Sequence, residues 1–321
     1  VRLADGSELT GGPVVLATGH SARDTYRMLA SHGVVMQRKP FAIGARVEHP
    51  QALVDEVQLG PMAGWKSIGP AEYFVRQKVQ THAGERGVYS FCMCPGGFVL
   101  PSPASVGHLN VNGMSNSNRG SRFANAALVV QVMPEDMHLQ QPGDLDADPD
   151  FGAHVAGGAL LGIALQSHLE RRAYAAGGGA YHAPAQRLVD FVDRRSGSDL
   201  PAKSSYRPGL KHANLSQLLP SRMVRAMSDA ARQIDRRQLS GYLTEEAQII
   251  GVETTTSSPV RIVRGDDRQS VSHTDLYPCA EGAGYAGGIV SSAIDGMLCA
   301  EAILARAAVE PVAGPAAVDA T

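Results

Sequence analysis

The chain has 321 residues, of which 44% are hydrophobic and 19% are charged, and its formal net charge is −2. Such a balanced charge gives no electrostatic reason to expect nucleic acid or an anionic membrane as a partner. No apolar run reaches the roughly 18 residues that a membrane span requires. The four cysteines are too few for a disulfide framework. We therefore expect a cytoplasmic protein with reduced thiols and a sizeable core.

The N-terminal part of the chain carries the pattern of a strand followed by a helix. The continuous apolar run at residues 14–17 predicts a buried parallel strand. Residues 18–19 end that strand. A helix is expected to follow as far as Leu29, with Ser21 or Asp24 as its N-cap.

Residues 34–153 contain short strand-like runs separated by turn signals, which predict a β-rich block, either a barrel or a mixed sheet. In the run 41–48, apolar residues alternate with small or charged ones, which predicts a half-buried antiparallel strand. The acidic residues 134–150 predict a solvated linker. Strand-like runs are predicted at 34–36, 41–48, 73–79, 87–92, 98–100, 109–112 and 127–133.

The apolar spacing changes again in the second half of the chain. From residue 154 to residue 246 the apolar residues recur with a period close to 3.6 residues, which predicts a helical insertion. Residues 248–264 return to strand composition. Residues 310–321, rich in Ala, Val, Pro and Gly, predict a flexible tail.

The strongest motif is a glycine-rich turn near the C-terminal end, with five glycines between residues 282 and 296. Apolar positions every three or four residues predict a helix over residues 288–305. A glycine-rich turn that leads into a helix presents free N–H groups and a positive dipole end, which suits a phosphate or an electron-rich ring edge. From spacing alone, the same glycines also fit a helix packed closely on a sheet.

Six segments between residues 17 and 288 resemble, in the same order, the sequence pattern of the bacterial FAD-dependent dehydrogenases, which are two-part flavoprotein oxidoreductases. Residues 281–288 resemble the C-terminal FAD motif of that family, although Ala280 stands where a glycine is more usual. Residues 17–24 resemble its second FAD-contacting turn. The six segments are 17–24, 39–44, 89–97, 183–187, 256–261 and 281–288.

The resemblance, taken with the patterns above, predicts an α/β plus β-rich fold. It consists of a partial FAD/NAD(P)-binding Rossmann-like domain, an inserted β-rich substrate domain and a helical insertion. The family begins with a βαβ unit that carries a GxGxxG fingerprint, whereas the GxGxxG at residues 282–287 lacks that context. We therefore expect an N-terminally truncated chain. The predicted boundaries are 1–33 with 270–309 for the incomplete FAD-binding domain, 34–153 with 247–269 for the substrate domain, 154–246 for the helical insertion and 310–321 for the tail.

The resemblance implies FAD as the cofactor and hydride transfer between the flavin and an unknown small-molecule substrate. NAD(P)H or another electron donor or acceptor is the expected partner. Glu281 is expected to hold ribityl or ribose hydroxyls, while Tyr285 either stacks near the flavin ring or only packs. The expected cofactor-binding residues are Thr18, Gly19, His20, Glu281, Gly282, Gly284, Tyr285, Gly287, Gly288 and Ile289.

The substrate side is expected in the β-rich block. A cysteine near a flavin is redox-active if its pKa is lowered, and the alternative is a pair of small buried thiols. Two cysteines separated by one residue have the wrong spacing for the common CxxC zinc knuckle or CxxC redox pair, and no metal is expected. Arg261 either holds an anionic substrate or pairs with a surface carboxylate. The substrate-side candidates are Cys92, Cys94, Gly96 and Arg261.

No catalytic residue can be assigned, because the sequence shows no Ser-His-Asp or paired-carboxylate arrangement. A flavoprotein does not need one, since the flavin itself carries the hydride chemistry. The alternative to an oxidoreductase is a non-catalytic fragment that binds a ligand or a partner without flavin.

Overall fold

A computed structural model of the chain describes residues 2–138, 158–197, 199–201 and 203–309. The chain divides into two compact units. The terminal unit combines Val1–Lys39 with Ser257–Thr321, and the central unit is Pro40–Thr256. Each unit is built around its own strands.

The terminal unit contains a parallel pair of strands, an antiparallel pair and two helices. Both strand pairs join a segment from the beginning of the chain to one from its end. The parallel strands are β1 (Val14–Leu16) and β13 (Leu276–Pro278), the antiparallel strands are β2 (Met36–Arg38) and β12 (Val260–Ile262), and the helices are α1 (Arg23–Ser31) and α6 (Ile289–Val309).

The central unit contains a seven-stranded sheet and a separate antiparallel pair. The sheet strands are β3 (Phe41–Pro50), β4 (Arg76–Thr81), β5 (Gly84–Cys94), β8 (Phe123–Val132), β9 (Ala183–Arg187), β10 (Leu210–His212) and β11 (Gln248–Glu253). The separate pair is β6 (Gly97–Pro101) with β7 (Val111–Ser115). The sheet order is β10-β9-β11-β3-β8-β5-β4, and only the β10–β9 pair is parallel. The predicted β-rich block is thus a mixed sheet.

Helices of the central unit pack against this sheet. The longest buries Met223, Met227 and Ile234, whose spacing of four and seven residues places them on one face. It begins directly after Pro220, which cannot continue a helix from its N-terminal side. The helices are α2 (Gln51–Leu59), α3 (Leu161–Ala176), α4 (Leu188–Val192) and α5 (Ser221–Arg237), with 3₁₀ turns at Gly60–Met62, Pro134–His138 and Leu215–Gln217.

Strand β3 lies in the middle of the sheet, between β8 and β11. Every residue from Phe41 to His49 is buried, including Arg46 and Glu48. The prediction of a half-buried strand is therefore wrong. The alternation of apolar and polar residues reflects a sheet that is covered on both faces, with charged groups buried on one of them.

The structure moves two of the predicted domain boundaries. Strand β2 pairs with β12, so residues 34–39 and 257–269 lie in the terminal unit and not with the β-rich block. The described residues of the predicted helical insertion, 154–246, contain three α-helices. They also contribute β9 and β10 to the seven-stranded sheet, because β9 pairs with β11. This region is therefore part of the central unit and not a separate insertion.

Three local predictions are also corrected. Helix α1 has Ala22 as its N-cap, with no side-chain capping bond, so neither predicted residue caps it. The parallel strand β1 is partly exposed and not buried. At the start of the predicted acidic linker, Asp136 is buried and accepts hydrogen bonds from Arg86, 2.7 Å from its Nε. Residues 139–150 of that linker and the predicted tail at 310–321 lie outside the described residues.

No helix within the described parts of the chain has the length and apolar character that crossing a membrane would require.

Candidate functional site

Two turns meet at the carboxyl ends of the parallel strands β1 and β13. Leu16 pairs with Pro278 in register, and the next residue, Cys279, donates its N–H to the carbonyl of Leu16 at 2.9 Å. The turns that follow therefore leave the strands side by side. A Cβ on Gly282 would lie 2.6 Å from the carbonyl oxygen of Gly19. Glycine is required at 282 because the two backbones touch there.

Glu281 and His20 project from these two turns. The distance from His20 Nε2 to Glu281 Oε1 is 3.6 Å, which is too long for a hydrogen bond. Burial lowers the pKa of His20, and its cationic neighbours lower it further against the opposing effect of Glu281. The imidazole is therefore neutral at pH 7. Among the described residues, His20 Nδ1 is buried and has no hydrogen-bond partner.

Basic and phenolic groups surround Glu281. Burial lowers the pKa of Lys39, and the nearby Arg261 lowers it further. Arg261 Nε is buried without a hydrogen-bond partner in the described part of the chain. The Tyr26 hydroxyl donates to the carbonyl of Gly282 at 2.5 Å, and burial raises the pKa of this phenol to about 12. The hydrogen bond from Tyr26 thus fixes the turn, and the cationic side chains of Lys39 and Arg261 lie near it.

The glycine-rich turn has a packed part and an open part. Gly284 has a positive φ of 84°, and a Cβ there would lie 2.6 Å from the carbonyl oxygen of Val260. At Gly287 and Gly288 a Cβ would meet nothing within 4 Å. Ile289, the first residue of α6, is 91% exposed. Backbone N–H groups at the start of this helix are therefore accessible to a ligand.

Tyr285 packs against two arginines. The guanidinium of Arg264 lies 3.7 Å from the centre of its ring, and that of Arg261 lies at 5.2 Å. The Tyr285 hydroxyl accepts the backbone N–H of Arg264 at 3.2 Å. Cation–π contacts of this kind orient the ring, so one of its faces is occupied by protein.

The Asp295 carboxylate holds the segment that precedes Glu281. Its Oδ1 accepts from Arg264 at 2.6 Å and from Arg268 at 2.7 Å. Its Oδ2 accepts from Arg264 at 3.0 Å and from the backbone N–H of Ala280 at 2.7 Å. Ala280 adopts a positive φ of 63°, a conformation that glycine adopts at lower cost.

The same carboxylate lies with Cys279 and Cys299 in a buried group whose possible metal-ligand atoms are all within 4.8 Å. Both of its oxygens already accept two N–H donors each. Arg264 also points at Cys299 Sγ, 3.5 Å away. A guanidinium therefore occupies the position that a cation would take, and the group serves to fix the turn.

We expect Asp295→Asn to lower the free energy of unfolding at pH 7 by about 2 kcal/mol. Burial would raise the pKa of Asp295, but hydrogen bonds from Arg264 and Ala280 and the charge of Arg268 lower it from 3.8 to about 2. A lowered pKa contributes stability above about pH 4, and this is lost as the pH falls towards 2. Urea unfolding at several pH values should therefore show the two proteins converging in acid. Asp266→Asn, at an exposed position of the same unit, is the control and should change little.

The central unit contains a buried ion pair at the middle of its sheet. Arg46, on β3, is fully buried and donates two hydrogen bonds of 2.7 Å to the carboxylate of Glu253. It also donates to the Asn112 side chain at 2.8 Å, to the Cys92 carbonyl at 2.7 Å and to Asn125 at 3.3 Å. Burial raises the pKa of Glu253 to about 7, against the opposing effect of Arg46.

Two of the substrate-side candidates lie directly over this pair. Cys92 is exposed, with a positive φ of 48°, and Cys94 is buried. The alternative of two small buried thiols is therefore wrong for Cys92. Gly96 is needed by the backbone, because a Cβ there would lie 1.8 Å from the carbonyl oxygen of Arg119.

The predicted site residues fall into two sets. All ten expected cofactor residues lie in the terminal unit, as does Arg261, while Cys92, Cys94 and Gly96 lie in the central unit. Sequence analysis missed Tyr26, Lys39 and Arg46. For Arg46 the strand pattern gave no signal, because a charged residue at an alternating position also fits a face exposed to water.

Comparison with known proteins shows a family for this chain through its central unit. The family model described as "FAD-dependent protein, C-terminal domain-like" matches residues 40–256, which coincide with the central unit. An uncharacterized protein of Clostridium beijerinckii is 40% identical over 305 residues, which cover 95% of this chain and 54% of that protein. The chain thus spans about half the length of the curated relative it matches. On the strength of these matches, the chain belongs to the family of FAD-dependent proteins that has this C-terminal domain.

Proposed function

We propose that the terminal unit is the FAD-binding part of an oxidoreductase, with a Rossmann-like arrangement, and that Glu281 binds hydroxyl groups of the cofactor. The observation that carries this proposal is the contact of Gly19 with Gly282 at the carboxyl ends of two adjacent parallel strands, beside the carboxylate of Glu281. Ligands of open α/β sheets bind outside the carboxyl ends of the strands. Membership of an FAD-dependent family supports FAD as that ligand.

The residues present have the chemistry that such a cofactor needs. The carboxylate of Glu281 is an acceptor for ribityl or ribose hydroxyls. Arg261 Nε and His20 Nδ1 are polar atoms left without a partner in the described residues, and they lie in the same unit. The open backbone at Gly287 and Gly288 leaves room for a phosphate or a ring edge next to a helix N-terminus.

Bound FAD would supply hydride transfer to or from a small-molecule substrate. The chain's own contribution is binding, orientation and charge. Lys39 and Arg261 place positive charge near Glu281, and the neutral His20 adds a polar group without adding a third cation. We propose NAD(P)H or another small electron carrier as the partner that exchanges electrons with the whole protein.

The test is a fluorescence titration of FAD with the chain and with Glu281→Gln. Losing a hydrogen bond to a charged acceptor weakens binding by about 10- to 100-fold, so the variant should have a correspondingly higher Kd. Glu301→Gln changes an exposed glutamate on α6 and should bind like the unchanged chain. Equal affinities of all three proteins would contradict the role of Glu281.

Absence of saturable FAD binding would overturn the cofactor assignment itself. To separate an oxidoreductase from a module that only binds a ligand, we would add NADH or NADPH to the FAD-loaded protein under anaerobic conditions. Bleaching of the flavin absorbance is the expected result for an oxidoreductase.

A further inference from the structure

The thiols of Cys92 and Cys94 form an asymmetric pair at the end of β5. Cys92 is exposed to solvent, whereas Cys94 is 6% exposed. Cys94 Sγ lies 3.4 Å from the carbonyl oxygen of Cys92, to which it donates its S–H. The thiol of Cys92 is therefore accessible to a reagent in solution, whereas the neighbouring thiol of Cys94 is buried.

An irregularity of the sheet creates this arrangement. The pairing of β5 with β8 shifts between Phe91 and Cys94, so three steps on β5 face two steps on β8. Such a bulge re-aims side chains locally. It also places Cys92 at a positive φ of 48°, which is uncommon for a residue other than glycine. Strained backbone of this kind is found most often at functional positions.

A fixed cation lies below the two thiols. Arg46 donates to the carbonyl of Cys92 at 2.7 Å, while Glu253 holds the other side of the guanidinium. Among the described groups, those facing the thiols are thus Arg46 from β3, Glu253 from β11 and, for Cys94, the buried phenol of Tyr73. Arg46 stabilises a negative charge on the exposed sulfur of Cys92. The carboxylate of Glu253, which is more deeply buried, destabilises that charge.

We propose that Cys92 and Cys94 are a redox-active dithiol that reduces a disulfide substrate, with Cys92 as the attacking thiolate and Cys94 as the resolving thiol. This inference rests on the central unit alone and does not depend on the flavin. A purely structural pair would not need one member exposed on a strained backbone above a buried cation.

The reaction balances in two exchange steps. The Cys92 thiolate attacks one sulfur of the disulfide R–S–S–R, forming a mixed disulfide and releasing R–S⁻. Cys94 then gives its proton to the released thiolate and attacks the sulfur of Cys92, which expels the second R–S⁻. The protein loses two electrons in forming a Cys92–Cys94 disulfide, and the substrate gains two as its bond is broken.

The electrostatics of the pair agree with these roles. The neighbouring thiol of Cys94 lowers the pKa of Cys92 to about 6, and Arg46 contributes to the same effect. The proximity of Cys92 and burial raise the pKa of Cys94. At pH 7 the exposed sulfur is thus a thiolate and the buried one a thiol. Attack by thiolate requires this division of roles.

The test uses oxidised glutathione as the probe, with mass spectrometry of the protein and an assay of released glutathione. The unchanged chain should release two glutathione molecules and carry no glutathionyl group. Cys94→Ser should release one molecule and keep a glutathionyl group on residue 92. Cys92→Ser should react more slowly at pH 7 by roughly 30-fold or more, because even an ordinary thiol is only a few per cent ionised there and the remaining Cys94 is buried.

Two outcomes would overturn the proposal. One is a stable mixed disulfide on the unchanged chain, and the other is a Cys92→Ser variant that reacts as fast as the unchanged chain. Circular dichroism of each variant checks that it is folded. Should a variant fail to fold, alkylation of the unchanged chain by iodoacetamide, followed by peptide mapping, replaces it. The rate at Cys92 should then rise with a midpoint near pH 6, and a midpoint above pH 8 would contradict the proposal.

Discussion

Replacing Arg46 by methionine should lower the free energy of unfolding by about 3–5 kcal/mol, because it leaves the carboxylate of Glu253 buried without its partner. Arg46 is fully buried, and the Glu253 side chain is 2% exposed. The lost guanidinium also leaves the side-chain oxygens of Asn112 and Asn125 without one of their donors. Chemical denaturation of the chain, followed by tryptophan fluorescence and circular dichroism, measures the effect.

The penalty of Arg46→Met should grow as the pH rises. Even with Arg46 present, burial raises the pKa of Glu253 from 4.5 to about 7, and removing the cation raises it further. A carboxyl group with a raised pKa in the folded state holds its proton there, so stability falls as the pH increases above about 4.5. The variant should thus differ less from the unchanged chain at pH 5 than at pH 8.

Two further variants separate the lost ion pair from lost packing. Arg76→Met removes an exposed arginine from β4 of the same sheet and should cost less than about 0.5 kcal/mol. Arg46→Met combined with Glu253→Leu removes both charges and should recover most of the stability, because apolar pairs replace buried ion pairs at little cost. A small loss for Arg46→Met that does not change with pH would contradict the central role of this pair.

The ion pair also marks the limit of what the strand pattern could predict. Alternation in residues 41–48 predicted strand β3 correctly, and its apolar residues are buried. The pattern could not say that Arg46 is buried as well, because its partner Glu253 lies 207 positions away. An arginine on the second face of a strand looks the same in the sequence whether it faces water or a carboxylate.

In the terminal unit, the sequence predicted the secondary structure better than it predicted which side chains are buried. The run at 14–17 correctly predicted a parallel strand, and the glycine-rich stretch correctly predicted a helix after it. The apolar positions predicted the helix but did not identify its buried side, since Ile289 and Met297 are 91% and 65% exposed while Asp295 is buried. Hydrogen bonds from two arginines and Ala280 decide the buried side, and they come from segments that the helix pattern does not contain.

In the candidate site, too, local properties of single residues could be predicted, whereas contacts between distant segments could not. Glycines at 19 and 282 could be recognised as turn residues, because backbone conformation and close approach are local properties of glycine. Their mutual contact depends on the pairing of β1 with β13, which joins the two ends of the chain. A related reason explains why Tyr26 was not predicted as a site residue. Its apolar ring fits any buried helix position, and only the folded chain shows its hydroxyl on the carbonyl of Gly282.

The central sheet offers a second large effect at Gly44, where we expect alanine to lower the free energy of unfolding by about 3 kcal/mol or more. A Cβ at this position of β3 would lie 1.9 Å from the carbonyl oxygen of Leu128 and 2.8 Å from Cα of Val129. Both are backbone atoms of β8, the strand paired with β3 from Phe41 to Pro50. No side-chain rotation relieves the clash, so the two strands must separate locally and their hydrogen bonds must lengthen.

Gly87→Ala is the matched control for Gly44→Ala, because it adds the same methyl group to β5 of the same sheet. A Cβ at Gly87 would meet only the side-chain oxygen of Gln131, at an ordinary 3.9 Å. Alanine there should be neutral, or stabilising by about 0.4–1 kcal/mol through the unfolded state. Thermal unfolding should therefore place Gly44→Ala roughly 6–12 °C below the unchanged chain, with Gly87→Ala at or above it. Similar melting temperatures for the two variants would show that β3 and β8 do not approach as closely as the contact at Gly44 requires.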